Sequence, residues 1–401
     1  MRILCLNQFF WPELAATSQL LTDVVRHLAS EGHEVTVICA ASSYAGADST
    51  KCPDAQIIRT PSLPFKRSLL GRALSYFSFF FFALWYGLRV PAPDAIVTMT
   101  TPPLLSLVGE MIRRVRGGRF YIWEMDLYPE IAIDLGVMKK DSFITRVWDR
   151  LVDFSRARAD GIIVLSECMR ARLLDRKVPY SKMHIVENWA NSDRIYATAR
   201  PVGQEITLLY PGSLGKAHDV ETFAKAMEHF KDDSRFRFVF VGGGPGMTPL
   251  RQRCLESGVS NAEFHAYVTP DELAGMMSRA QIGLVTQIET VRGSLVPSKV
   301  YAVLAAGLPL LFIGPAPVQP ARIIDRFRCG WRIAPGDSQG LIALLDMLAR
   351  DTDHVGQAGR RARQAFMEHY DRGVAVQRIA QVLGIPARTP AASTRTVASV
   401  R

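Results

Sequence analysis

Strand-like and helix-like patterns alternate along this sequence, lapse once, and begin again, and that repetition limits the fold more than any other feature. Arg2–Leu6 is an apolar run. Leu20, Leu21, Val24, Val25 and Leu28 then keep to one helical face, and Gly32 stops it. Glu34–Cys39 and Ala95–Met99 read as strands, Leu104–Arg116 as a helix, Phe120–Trp123 as a strand, Ser142–Ala159 as a helix, and Gly161–Leu165 and His184–Val186 as strands. The pattern lapses over Tyr196–Glu205, which holds Pro201 and Gly203, and resumes at Ile206–Tyr210. Strands at Phe236–Val241, Ala262–Ala266, Ile282–Thr286 and Pro309–Phe312 then alternate with helices at Val220–Phe230, Thr248–Ser257, Pro270–Arg279 and Lys299–Ala306. Two further helices, Ser338–Leu348 and His354–Tyr370, follow.

Strands separated by helices imply a parallel sheet covered on both faces. The expected fold class is α/β: two tandem Rossmann-like, doubly wound domains over residues 1–200 and 201–384, the last helix able to pack back on the first domain. The 401 residues give each domain enough chain to bury a core. Residues 385–401, rich in Ala, Thr, Pro, Ser and Arg, have almost nothing to bury and read as a flexible tail. Ligands of such sheets sit beyond the carboxyl ends of the strands, so two facing halves share a cleft.

The formal net charge of +10 favours anionic partners: nucleic acid, an anionic membrane surface or phosphorylated small molecules. Nucleic acid ranks last, because no zinc finger, RNP motif or compact basic block is present. The six cysteines are scattered without a Cys-x-x-Cys pair, which suggests a reducing compartment and argues against a structural metal. The chain begins directly on a strand pattern, so no signal peptide is expected.

Ala73–Leu88 is sixteen residues without a charge, flanked by Arg67, Arg72 and Arg89. It is short for a membrane-spanning helix. One reading is a buried helix of the first domain. The other is a helix lying in the membrane surface, since Phe79–Phe82 cover every face of a turn and Tyr76, Trp85 and Tyr86 favour the interface.

The second half carries the phosphate signals. Pro211-Gly212-Ser213-Leu214-Gly215-Lys216 follows one strand and Val241-Gly242-Gly243-Gly244-Pro245-Gly246 the next, each opening a helix. Glycines let backbone N–H groups approach a phosphate, and Lys216 adds a charge; a tight strand-to-helix turn is the plainer reading of each. Neither fits Gly-x-x-x-x-Gly-Lys-Ser/Thr, so a P-loop is excluded. Pro297 and Ser298 can start the helix that carries Lys299, placing the Ser298 hydroxyl, free N–H groups and the ammonium at its positive end. Gly307 and Pro309 close it. In the first half, Asp126 follows a strand and faces the cleft; it can act as a base or simply form a turn or cap a helix. Glu130 is a second candidate there. Glu187-Asn188-Trp189 ends another strand and can be a purely structural turn. His218 can touch a donor phosphate or cap a helix.

These runs, with Val296–Pro309, Leu6-Asn7-Gln8-Phe9-Phe10-Trp11-Pro12-Glu13 and Glu124-Met125-Asp126-Leu127-Tyr128-Pro129-Glu130, resemble the retaining glycosyltransferases of family 4, of GT-B fold. They are similar to the bacterial exopolysaccharide and O-antigen branch that includes the colanic acid and N-acetylfucosamine transferases. The resemblance spans about residues 1–380. It implies a transferase taking a sugar from a nucleotide diphosphate sugar, with retention, to a polyprenyl-diphosphate-linked glycan during surface polysaccharide synthesis. The implied location is cytoplasmic, peripheral on the inner face of the membrane, with residues 73–88 as the contact.

The donor would rest on Gly212, Gly215, Gly243, Gly244, Pro297 and Ser298, the acceptor near Asn7, Trp11 and Glu130, and the chemistry on Asp126, Lys216 and Lys299. No cofactor or metal is called for, because Lys216, Lys299 and helix dipoles would neutralise the departing diphosphate. One departure stands out. The family's paired glutamates fall here on Ser294 and Ala302, leaving Glu289 as a stand-in for the first. Two alternatives accompany the transferase: a nucleotide-sugar epimerase of the same architecture, and a degenerate subunit that binds a partner enzyme.

Overall fold

The computed structural model describes residues 1–13, 15–41, 54–63, 69–197 and 205–386. Arg67, Cys52 and nearly all of the expected tail lie outside these; the described chain ends at Pro386, and Ile385 is buried in the core.

The first half holds strands β1 (Arg2–Leu6), β2 (Glu34–Ala40), β3 (Gln56–Thr60), β4 (Ala95–Met99), β5 (Arg119–Trp123), β6 (Gly161–Val164) and β7 (Met183–Ile185). Its helices are α1 (Ala16–Ser30), α2 (Leu69–Gly87), α3 (Leu105–Arg116), α4 (Glu130–Asp134), α5 (Phe143–Arg158) and α6 (Glu167–Asp175). The second half holds β8 (Ile206–Pro211), β9 (Phe236–Val241), β10 (Ala262–His265), β11 (Ile282–Thr286), β12 (Leu310–Ile313) and β13 (Gly330–Ile333). Between and after them come α7 (Glu221–His229), α8 (Met247–Glu256), α9 (Pro270–Arg279), α10 (Lys299–Ala305), α11 (Gln319–Phe327), α12 (Ser338–Arg350), α13 (Thr352–Ala365) and α14 (Arg372–Val382).

The strands form two wholly parallel sheets, ordered β3-β2-β1-β4-β5-β6-β7 and β10-β9-β8-β11-β12-β13. Each order reverses direction once, between β1 and β4 and between β8 and β11. Right-handed crossovers therefore put α1 on one face of the first sheet and α2, α3 and α5 on the other. The central strands β4 and β11 are buried along their whole length, which is why they read as continuous apolar runs. Helix α14 returns to pack on α1, and Arg119 Nη2 donates to the Leu383 carbonyl at 2.8 Å.

Several elements were not expected. The edge strand β3 has only Ile57 and Ile58 as apolar residues, too few to show alternation. The edge strand β13 is short and half-exposed. Helix α6 buries only Met169 and Leu173. The helix expected over 354–370 changes at Phe366, where a wider π turn runs to Tyr370. The buried-helix reading of Ala73–Leu88 holds for one side only: α2 buries Ser75, Phe79 and Ala83 and leaves Phe77, Phe81 and Trp85 exposed on the other. No helix among the described residues is long and apolar enough to cross a membrane.

Candidate active site

The two glycine loops at the ends of β8 and β9 are zipped together by backbone. Gly212 N donates to Val241 O at 2.6 Å, Leu214 N to Gly243 O at 2.7 Å, and Gly246 N to Leu214 O at 2.9 Å. Gly242 has φ +132°, and a Cβ there would collide with the Gly212 carbonyl. Gly244, at φ +105°, would put its Cβ 2.6 Å from Leu214 O. These glycines are thus needed for loop-to-loop approach itself, before any ligand is considered.

Lys299 reaches back from α10 over this floor. Its Nζ donates to Ser213 O at 2.7 Å and to Tyr210 Oη at 3.0 Å, and lies 3.1 Å from His218 Nε2. His218 Nδ1 lies 2.7 Å from the Thr286 carbonyl, which can only accept. Nδ1 therefore carries the proton and Nε2 accepts from the ammonium, which makes the imidazole neutral. Burial and the neighbouring Lys299 charge hold His218 down to about 4, and burial brings Lys299 down to about 7.

Lys216, the other cation expected at the diphosphate, is exposed on the loop, and the described partners of Lys299 are His218, Tyr210 and Ser213. His218 caps no helix; Asp219 does that work, accepting from Thr222 N at 2.9 Å. Ser298 is exposed and makes no side-chain cap, because it already has helical φ and ψ, while Pro297 beneath it is buried.

The loop after β11 joins the halves. Ser294 is fully buried; its Oγ donates to Val291 O at 3.0 Å, and its carbonyl accepts from Leu127 N at 2.8 Å. Asp126 and Leu295 form an antiparallel bridge beside it. The position that aligns with the first family glutamate is therefore a backbone clasp between the two sheets. Glu289 does not replace that glutamate in this structure: it sits on an exposed 3-10 turn with Arg292 3.5 Å away, its carboxylate already matched to a cation. Ala302 is half-buried on α10 and offers no polar atom beyond its backbone.

Asp126 is half-buried, with its N–H 3.4 Å from Thr100 Oγ1, and no described group hydrogen-bonds its carboxylate. Burial, and then the Glu124 charge, raise it to about 6. It is not a helix cap, since α4 begins after Pro129. Glu130 is a correction. It faces inward, 3.3 Å from Arg176 and 3.7 Å from Arg156, in a cluster where the buried Arg156 also pairs with Glu124 at 2.8 Å. The buried Arg156 and the half-buried Arg176 both lie within ion-pair distance of that carboxylate, so it is engaged inside the first half.

Several buried polar atoms without partners lie just past the ends of β1, β7 and β11. Asn7 is fully buried; its Nδ2 donates to Phe9 O at 2.6 Å and its Oδ1 has no partner. Trp11 Nε1, Gln8 Oε1, Gln287 Oε1 and both ends of the Asn188 amide are likewise unmatched. Buried polar atoms are normally paired, so such a cluster marks where a polar ligand would be accommodated. Gln8, Asn188 and Gln287 were not singled out as binding residues; their place just past strand ends was the available signal. The rest of the 187–189 turn is structural: Trp189 stacks on Trp123, and Arg378 holds Glu187 at 3.3 Å. No cluster of His, Cys, Asp and Glu fit for a metal occurs among the described residues.

Two parallel sheets thus meet through the loop after β11, with Lys299 over the glycine floor of the second and the Asp126 carboxylate at a strand end of the first. Residues 17–189 match the profile of the "Glycosyl transferase 4-like domain" and residues 205–351 that of the "Glycosyl transferases group 1". The chain belongs to the glycosyltransferases of GT-B fold. It is 25% identical to "Probable glycosyltransferase WbjE" of Pseudomonas aeruginosa over 79% of this chain and 80% of that protein. It is 24% identical to WcaI of Escherichia coli (strain K12), named as a colanic acid biosynthesis glycosyl transferase, over 77% and 82% of the two chains. The crystal structure of Anabaena Alr3699/HepE in complex with UDP-glucose superposes with a TM-score of 0.71 over 96% of this chain and 99% of that one, at 14% identity.

Proposed function

We propose that this glycosyltransferase moves a sugar from a nucleotide diphosphate sugar to a polyprenyl-diphosphate-linked glycan during synthesis of a surface polysaccharide, with retained anomeric configuration. The observation that carries this reading is the bridge between Asp126 and Leu295, which brings the strand end bearing an unpartnered carboxylate onto the segment leading into Lys299 and its partner His218. The name of WcaI supports the pathway, and the UDP-glucose bound to the Anabaena protein supports the donor class.

The diphosphate lies over Gly212, Gly215, Gly243 and Gly244, along the edge formed by Pro297 and Ser298, with Lys299 beneath it and Lys216 closing from the loop. These cations oppose the charge that develops as the bond between the anomeric carbon and the diphosphate oxygen breaks. No metal is required for that step. The acceptor enters past Asn7 and Trp11. Its hydroxyl is held by Asp126 and attacks the anomeric carbon from the face the diphosphate leaves, and the departing oxygen takes the proton.

A thermal-shift panel of nucleotide diphosphates and their sugars identifies the donor. Transfer to a polyprenyl-diphosphate-linked glycan, followed by NMR of the new anomeric proton, tests the rest. Inverted configuration refutes retention, and conversion of donor without acceptor would mark an epimerase instead. We also place the chain at the inner face of the cytoplasmic membrane, through residues 73–88.

A further inference from the structure

Three neighbouring helices turn apolar side chains outward on one side of the first sheet. On α2, Leu74, Phe77, Phe81 and Trp85 recur at helical spacing and are exposed, Phe77 by 72%. Helix α2 packs on α3 and α3 on α5, where Ser106 and Ser155 meet at 2.8 Å. The stripe continues onto both neighbours: Val115 at the end of α3 is 69% exposed, and Phe143 at the start of α5 is 74% exposed, with Ile144 and Leu151 open beside it. Soluble surfaces rarely leave such a run uncovered.

On these helices the charges without an ionic partner among the described residues are arginines. Arg89 lies 3.3 Å over the Trp85 ring and Arg158 3.7 Å over the Phe154 ring. Arg146 and Arg150 are exposed, with no side-chain partner among the described residues. The acids of the same helices are paired: Glu110 is buried beneath Arg113 and Arg114, and Asp149 and Asp153 are held by Arg176. A second copy docking symmetrically here would set arginines against arginines. An anionic bilayer supplies what the surface lacks, apolar depth and negative headgroups.

We infer that α2, α3 and α5 together form a single docking face for an anionic phospholipid bilayer. Aromatic and aliphatic side chains enter the headgroup boundary while the arginines meet lipid phosphates, each strengthening binding by about fivefold. The inference rests on the peripheral membrane location proposed above and enlarges the contact from one helix to three. It does not need the sugar-transfer reading.

The test is sedimentation of the full chain with vesicles of phosphatidylcholine, alone or with phosphatidylglycerol. Binding is expected to the anionic vesicles and to fall as salt rises. Phe77→Ser with Phe81→Ser, and separately Phe143→Ser with Ile144→Ser, should each weaken it by on the order of tenfold. Arg146→Gln with Arg150→Gln should weaken it on anionic vesicles only. Unfolding midpoint and nucleotide diphosphate binding, measured alongside, should stay at the wild-type level. The inference is overturned if the wild type ignores anionic vesicles or binds neutral ones equally. Wild-type behaviour of the Phe143/Ile144 variant would reduce the face to α2 and overturn it too, as would self-association lost on Phe77/Phe81 substitution without vesicle binding. Vesicle binding without transfer on any acceptor sinks only the catalytic reading.

Discussion

Lys299 Nζ lies 3.1 Å from His218 Nε2, and the other ring nitrogen is committed to the Thr286 carbonyl. The ammonium is thus held by a neutral imidazole, a hydroxyl and a carbonyl, with no counter-charge among these partners. An incoming diphosphate supplies one. Lys299→Met should weaken nucleotide diphosphate binding by about 1.5–3 kcal/mol, the range for a charge-assisted hydrogen bond. Titration calorimetry reads this directly, and an unchanged dissociation constant would remove Lys299 from the donor site.

The same pair sets a pH dependence. With Lys299 near 7 in the free enzyme, the cation is present below that pH and is lost as pH rises through it. Binding a diphosphate must then restore the proton, so affinity should fall on the order of tenfold between pH 7 and pH 8.5. Lys299→Arg keeps its charge throughout and should flatten the curve. A wild-type affinity constant across this range contradicts the assignment.

Asp126, raised to about 6, should give the acidic limb of the rate profile: activity falls as pH drops through 6 and the carboxylate protonates. Asp126→Asn should lower kcat by about tenfold to a hundredfold, the loss of a charged hydrogen bond that positions the acceptor hydroxyl, while donor affinity stays near wild type. A loss in donor affinity alone would make Asp126 a structural residue.

Gly242→Ala should destabilise the second half by roughly 1–3 kcal/mol, because φ +132° and the Gly212 carbonyl both oppose a Cβ. Gly258→Ala, with φ +71° and open space around it, is the strain-only comparison. Denaturant midpoints of the two variants separate collision from backbone strain.

Ser294→Glu, which puts back the family's acidic residue, should fail to improve activity. The site is fully buried and its neighbours are the clasp to Leu127, so a carboxylate there is desolvated and unpaired. A lower unfolding midpoint with reduced transfer is expected, and faster transfer would show that a sugar subsite remains.

The alternation of patterns was enough to reach both sheets, because β4 and β11 are buried on both faces and read as unbroken apolar runs. Elements at the edges, such as β3 and β13, were missed because half-exposed strands keep only part of the pattern. At the site, spacing singled out Lys299 but could not show which way its side chain turns; His218 and Tyr210 decide that. Glu130 looked available because Arg156 on α5 and Arg176 just after α6, its ion-pair partners, are distant in sequence. Ser294 looked like a lost function because its present contact is made by its backbone, which no side-chain motif records.

Ser75 sits on the inner side of α2, where it accepts a hydrogen bond from Gln8 Nε2 at 3.0 Å, and Phe77 points outward only two residues on. Gln8, at the end of β1, and the outer surface are therefore separated by the thickness of one helix, about 10–12 Å. Helix α2 acts as a spacer of fixed width. Whatever rests against Phe77 is held at a set depth from Asn7 and Gln8, and an acceptor anchored in that layer has a defined distance to reach.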